Sequence, residues 1–125
     1  MSPENERKLF DAYPDLSRAR SSPEDYPIKN GFQCYDGWFK LLFDLSAKIE
    51  NQARLENLNT FDDAWPMVTQ VKEKMGSLRF HIRNRSYAMY ELVQRALEES
   101  THICEICGHP GTLCRGETVC DDHAD

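Results

Sequence analysis

The sequence predicts an α+β fold in which helices pack on an antiparallel β-hairpin and a cysteine-rich C-terminal module closes the structure. Two segments have apolar residues at helical spacing, and the segment between them has apolar residues at every second position. Four of the last 25 residues are cysteine. We expect residues 1–100 to form the α+β core, as helix, long loop, helix, hairpin and helix, and residues 101–125 to pack against it within the same domain.

The composition is that of one soluble globular domain. The chain has 125 residues, of which 40% are hydrophobic and 29% charged, with a mean hydropathy of −0.66. No apolar run approaches the roughly 20 residues that span a bilayer, and the acidic N-terminus is unlike a secretory signal peptide. We therefore expect a cytoplasmic protein without membrane contact. In that reducing compartment, five cysteines are more typical of metal ligands than of disulfides.

The first helix is predicted from about Pro3 to Tyr13. Ser2 is a suitable N-cap, and Pro3 suits the first helical position. An irregular stretch with three prolines follows between Pro14 and Gly37. A connection of this length is either a surface wrap, fixed by its aromatic residues, or a functional segment.

The clearest helix is predicted from about Gly37 to Leu55, with Asp36 as its N-cap. Residues three and four positions apart, all of them apolar except Gln52, predict one buried stripe: Trp38, Leu41, Leu42, Leu45, Ile49 and Gln52, with Phe39 and Phe43 beside it. Charged residues lie away from this stripe: Lys40, Asp44, Lys48 and Glu50. We interpret the aromatic density as core packing rather than a cofactor site.

A β-hairpin is predicted next, with strands at 67–72 and 77–83 and a turn at 74–76. In the second strand, alternate residues are apolar and would face the core: Leu78, Phe80 and Ile82. Gly76 is suited to a turn position with positive φ. A last helix is predicted from about Ser86 to Ser100, with its apolar side covering the hairpin.

The spacing of cysteine and histidine near the C-terminus predicts a structural zinc site. Cys104 and Cys107 are two residues apart, and Cys120 and His123 repeat that spacing after twelve intervening residues. Three thiolates and one imidazole match the ligands of tetrahedral structural Zn²⁺, and four protein ligands leave no open position for catalysis. The module is thus expected to be a zinc knuckle or zinc-ribbon-like unit.

An alternative ligand set remains open. Cys114 could replace His123 and give four sulfur ligands, although it stands alone in the intervening loop. Cys34 has no partner nearby in the sequence and is expected to be a small buried residue.

The outer face of the hairpin is predicted to be a binding surface. Residues 68–85 contain five basic residues and one acidic residue. The candidate contact residues are Gln70, Lys72, Lys74, Arg79, His81 and Arg83. Arginine side chains in such a face suit phosphates and carboxylates. The alternative is a solvated face balanced by acids from neighbouring elements.

No catalytic motif is recognisable. The sequence lacks a glycine-rich phosphate loop, a nucleophile elbow and a zincin helix motif. We therefore do not expect an enzyme.

Three segments resemble a family of short, mostly uncharacterised proteins encoded in bacteriophages, prophages and bacterial genomes. The segments are residues 35–38, residues 70–80 and the knuckle pair at 104–108 and 120–123. Tyr35 stands where glycine is expected, and Met75 where phenylalanine is more common. The resemblance implies a bacterial host cell and a small non-enzymatic protein that acts by binding.

Two functions are therefore predicted. The first is a phage-type protein that docks on a host protein or complex and modulates or inhibits it, with anti-defence activity, including anti-CRISPR activity, as one form. The second is a nucleic-acid or nucleotide-binding zinc protein that uses the basic hairpin face. The net charge of −6 disfavours broad, non-specific DNA binding. The sequence does not predict the oligomeric state.

Overall fold

The computed structural model describes residues 1–124 and has an α+β architecture with three helices and two antiparallel hairpins. The helices are α1 (Pro3–Ala12), α2 (Phe39–Leu55) and α3 (Tyr87–Ser100). The first hairpin pairs β1 (Met67–Lys74) with β2 (Ser77–Arg83), and the second pairs β3 (Thr112–Cys114) with β4 (Glu117–Val119). The predicted fold class is confirmed. No helix within residues 1–124 has the length and hydropathy to cross a bilayer.

Both predicted serine caps are present. The Ser2 hydroxyl accepts a hydrogen bond from the backbone N–H of Asn5, and the Ser86 hydroxyl accepts one from Met89. Each bond satisfies an N–H group that has no partner within the helix itself.

The predicted cap of α2 is wrong. A 3-10 turn at Asp36–Trp38 leads into the helix, and Trp38 is the residue before its first turn. The Asp36 carboxylate instead accepts hydrogen bonds from the backbone N–H of Ser2 (2.8 Å) and from the Asn5 amide (3.1 Å). Asp36 therefore joins the start of α1 to the start of α2.

The stripe on α2 is buried as predicted, with Gln52 half-buried at its end. Among the charged residues, Lys40, Asp44 and Lys48 are exposed, but Glu50 is buried, which corrects the prediction for that residue. Burial raises the pKa of the Glu50 carboxyl; Arg54, 3.5 Å away, partly opposes the effect, and Asp15 adds to it.

The long connection between α1 and α2 wraps the core. It contains 3-10 turns at Arg18–Ser21 and Pro27–Asn30, and buries five apolar side chains: Leu16, Ala19, Ile28, Phe32 and Cys34. Gln33 pairs with β1 through its backbone, since its N–H donates to Val71 and its carbonyl accepts from Glu73. The wrap therefore lines the edge of β1 at this point.

The first hairpin packs its apolar face on the helices. Leu78 and Phe80 are buried, and Ile82 is half-buried. Met75 and Gly76 both have positive φ, 53° and 84°, as in the two-residue turns that match strand twist. A bulge at Thr69 shifts the register between Val68 and Gln70. Beyond it, Gln70, Lys72 and Lys74 pair with His81, Arg79 and Ser77.

Candidate metal centre and basic face

Four side chains from two turns converge in the C-terminal module, which we define as residues 101–124. Cys104 and Cys107 lie in the turn that follows α3. After β4, Cys120 precedes a short 3-10 segment at Asp121–His123, and His123 ends it. Their sulfur and nitrogen atoms all lie within 4.8 Å of one another. The structure therefore brings together the four residues of the predicted ligand set.

The spacing of the donor atoms fits a tetrahedral metal ion. Zinc bonds of about 2.3 Å to sulfur and about 2.0 Å to nitrogen place the corners of a tetrahedron roughly 3.5–3.8 Å apart. The Sγ atoms of Cys107 and Cys120 are 3.6 Å apart, and Cys104 Sγ is 3.7 Å from His123 Nδ1. Cys120 Sγ is closer to that nitrogen, at 3.1 Å. The arrangement can hold a divalent cation with four protein ligands.

Backbone N–H groups favour the thiolate form of Cys104. Burial raises the pKa of this thiol, but hydrogen bonds from Cys107, Cys120 and Ile106 N–H groups outweigh it and lower the pKa to about 6. The pKa of Cys107 is raised: the His109 N–H favours its thiolate, but desolvation and the neighbouring sulfurs have the larger combined effect. Crowded sulfurs of this kind are stabilised by a cation among them.

The other cysteines lie outside this cluster. Cys114 is on β3, where its thiol donates to the carbonyl of Ala124 at 3.5 Å. Cys34 is buried in the core, as expected, and burial raises its pKa to about 12. Neither cysteine is among the four converging residues.

The motif at residues 35–38 holds the knuckle. Gly37 donates its N–H to the carbonyl of Glu105 at 2.7 Å, and the Trp38 indole donates to the carbonyl of Ile103 at 3.0 Å. A Cβ atom on Gly37 would overlap the backbone of Cys104 and Glu105. Glycine at this position therefore permits the close approach of the two backbones.

Glu105 is buried beside the knuckle and joins three segments. Its N–H donates to the carbonyl of Thr118, and its carboxylate accepts from the N–H of Tyr35 at 3.1 Å. Burial raises the pKa of this carboxyl to about 6.

The turn of the first hairpin contacts the second hairpin. Thr118 is fully buried, and its hydroxyl donates to the carbonyl of Gly76 at 2.5 Å. A Cβ atom on Gly76 would meet the Leu113 side chain at 2.5 Å. The three segments that carry the family resemblance thus meet. Residues 35–38 hold the knuckle at 104–108, and the turn within residues 70–80 packs on β4, the strand that leads to the knuckle at 120–123.

The outer face of the first hairpin carries the predicted binding residues. Lys74, His81 and Arg83 are exposed, and Gln70, Lys72 and Arg79 are half-buried. Lys72 and Arg79 are direct cross-strand partners. We call this surface, Gln70, Lys72, Lys74, Arg79, His81 and Arg83, the basic face.

The basic face has few direct ion pairs. Within residues 1–124, only Arg83 in this set has an acidic partner within 4.0 Å, which is Glu24 at 3.8 Å; Tyr26 also accepts from it at 2.5 Å. The pKa of His81 is lowered by burial and then by the positive charges of Lys72, Arg79 and Arg85. A direct ion pair with a neighbouring acid is therefore formed by Arg83 alone in this set.

Arg85 extends this positive region and was not among the predicted contact residues. Its guanidinium lies 4.7 Å from the centre of the Tyr90 ring. The sequence signal for Arg85 was its positive charge within residues 68–85. Its contact with Tyr90 depends on how α3 begins, so the sequence alone did not predict it.

No protein-family model, curated protein or solved structure matches the chain. The resemblance of its three motifs to phage-encoded proteins therefore stays a prediction.

Proposed function

We propose that the protein is a non-catalytic binding protein that docks through its basic face on an acidic surface of a host protein or complex and modulates or inhibits it. The observation that carries this proposal is the cross-strand pair Lys72 and Arg79. Among residues 1–124, no carboxylate oxygen lies within 4.0 Å of the charged nitrogens of this pair. Like charges directly opposite each other destabilise a sheet. A binding partner with negative charge relieves that repulsion and gives it a function.

The rigidity of the hairpin supports the same proposal. Gln33 lines the edge of β1, and Thr118 holds the turn at Gly76. Side chains on a fixed backbone lose less conformational entropy on binding than side chains on a mobile loop. The resemblance to phage-encoded proteins supports a bacterial host protein as the partner, with inhibition of a defence system, including a CRISPR system, as one form.

The proposal also assigns Zn²⁺ to the metal centre, in a structural role. Three sulfurs and one imidazole are a zinc ligand set, and four protein donors leave no position for substrate. The module has few buried apolar side chains of its own, of which Cys104 and Val119 are two. Metal binding worth roughly 10–16 kcal/mol in zinc-finger peptides is sufficient to keep such a module folded. Elemental analysis of the purified protein is expected to give one zinc per chain, and Cys107→Ser to lower this content.

The test of docking is a charge-reversal experiment with a matched control. The variant Lys72→Glu/Arg79→Glu removes the central pair of the basic face. The control Lys29→Glu/Lys48→Glu changes the net charge equally at two exposed positions elsewhere. The natural protein and both double variants are used to capture proteins from host lysate. The captured partner is then purified, and its affinity for each of the three is measured by titration.

We expect one stoichiometric partner that binds the natural protein and the control with similar affinity. Binding to Lys72→Glu/Arg79→Glu should be weaker by about a hundredfold, as for central charged contacts. The proposal is wrong if no stoichiometric partner is captured, or if the two double variants bind it equally well.

A second candidate function is binding of nucleic acid or a nucleotide, and one observation favours it. The Arg85 guanidinium stacks on Tyr90 next to the basic face, and arginine and tyrosine planes stack on unpaired bases. This function predicts binding of single-stranded oligonucleotides that weakens steeply with salt and is lost in Arg79→Ala or Arg83→Ala. Salt-insensitive or absent binding to DNA, RNA and cyclic nucleotides excludes it.

A further inference from the structure

Three large apolar side chains are exposed at the end of the molecule away from the C-terminal module. Leu55, Phe61 and Tyr87 are 69%, 95% and 75% exposed. Leu55 ends α2, Phe61 lies in the loop that follows, and Tyr87 begins α3. Single exposed apolar residues are ordinary, whereas several on adjoining segments are typical of an interaction surface.

Hydrogen bonds between their neighbours show that these segments adjoin. The Ser86 hydroxyl donates to the Glu56 carboxylate at 2.6 Å, which joins the end of α2 to the start of α3. The Asn84 amide donates to the carbonyl of Asp63 at 2.6 Å, which ties the loop to the same place. We call the surface formed by Leu55, Phe61, Asp62, Asp63, Arg85 and Tyr87 the distal patch.

The loop that carries Phe61 is fixed by local hydrogen bonds. The N–H of Phe61 donates to the Asn59 side chain at 2.9 Å, and the N–H of Ala64 donates to the Asp62 side chain at 3.1 Å. The backbone N–H of Asp62 also donates to the carbonyl of Asn59. The backbone that carries this almost fully exposed ring is thus held before binding, which lowers the entropy cost of using the ring as an interface anchor.

The distal patch carries both signs of charge. Asp62 and Asp63 follow Phe61, and Arg85 lies two residues before Tyr87. Within residues 1–124, none of these three has an oppositely charged side chain within 4.0 Å. A two-fold axis brings a surface against a copy of itself, so a patch that carries apolar side chains and both signs of charge can pair with its own copy.

We propose that the distal patch is the interface of a homodimer, in which Phe61 is the central anchor and the acidic loop of each chain pairs with Arg85 of the other. The acidic partner proposed for the basic face does not fit here, because Asp62 and Asp63 would repel it. Of the positive region, the interface uses only Arg85, so the six residues of the basic face lie outside it and a dimer presents two basic faces at once.

The test is the mass of the protein in solution, measured by sedimentation velocity over a wide concentration range. The natural chain should approach about 29 kDa, twice its 14.5 kDa. Phe61→Ser should raise the dimer dissociation constant by about thirtyfold, as for an interface hot spot. Met75→Ser is the matched control, because Met75 is also exposed (75%) but lies on the hairpin turn at the opposite end.

A charge exchange tests the pairing across the axis. Asp63→Arg and Arg85→Asp should each weaken the dimer, and the double variant should recover much of the loss, because the opposite charges then meet again with their signs reversed. Circular dichroism shows whether each variant is folded. The proposal is overturned if the natural chain stays monomeric throughout, if Phe61→Ser dimerises as tightly as the natural chain, or if Met75→Ser weakens the dimer equally. None of these results depends on a binding partner for the basic face.

Discussion

The contact between Thr118 and Gly76 offers the sharpest test of how the C-terminal module is held. Thr118→Val keeps the shape of the side chain but removes the hydroxyl that donates to the Gly76 carbonyl at 2.5 Å. Both residues are buried, so the carbonyl would lose its side-chain partner without gaining access to water. A buried acceptor left without a partner costs about 1–3 kcal/mol.

That free energy corresponds to a measurable change in melting temperature. An unfolding entropy of about 2.1 cal/mol/K per residue over 125 residues converts 1 kcal/mol into about 4 °C. We therefore expect Thr118→Val to melt about 4–12 °C below the natural protein. Urea titration of the metal-loaded protein should give the same loss of unfolding free energy, with an unchanged slope.

Thr112→Val is the matched control. Thr112 lies on the same small hairpin but is exposed, so the same substitution should change the unfolding free energy by no more than about 0.5 kcal/mol. If Thr118→Val is no less stable than Thr112→Val, the hairpin turn does not support the module and our account of the motif at residues 70–80 is wrong.

Two further predictions concern the buried carboxylate and the metal. Glu50→Gln should be more stable than the natural protein at neutral pH, because burial raises the folded-state pKa of Glu50. The stability linked to this carboxyl is fully present below its ordinary pKa of 4.5 and is lost as pH rises through the folded value. Urea titrations of both proteins across this range check the sign, and a difference that does not shrink toward acid pH contradicts it. Removal of the metal by a chelator should speed hydrogen exchange at the backbone amides of Cys104 and Glu105 and leave those of Leu42 and Ile49 protected. The reason is that the folding of the module depends on the bound metal, whereas the folding of the helical core does not. Simultaneous loss of protection at all four amides would show that core and module unfold together.

Periodicity predicted the main elements because each signal is local. The stripe from Trp38 to Ile49 and the alternation from Leu78 to Ile82 each need only neighbouring residues, and both proved to face the core. The cysteine spacing was equally informative, since two short turns can reach one ion. In contrast, β3 and β4 have three residues each, too few to show an alternation.

The errors came from contacts between residues distant in sequence. Asp36 has the residue type of a helix cap, but Ser2 and Asn5 take its carboxylate from more than 30 positions away. Glu50 is charged and was expected to be exposed to solvent. It follows Ile49 on α2, however, and both side chains are buried. The pairing of Arg83 with Glu24 agrees with the alternative that the sequence left open, and it depends on the path of the long wrap.

The pairing of Gln33 with β1 limits the ways in which another chain can attach. An unpaired strand edge is a template for strand addition, which leads to aggregation or to recognition of extended peptides. Here the backbone groups of Val71 and Glu73 that face outward are already taken by Gln33. At this margin a foreign peptide would first have to displace the protein's own chain, which disfavours strand addition along this part of β1.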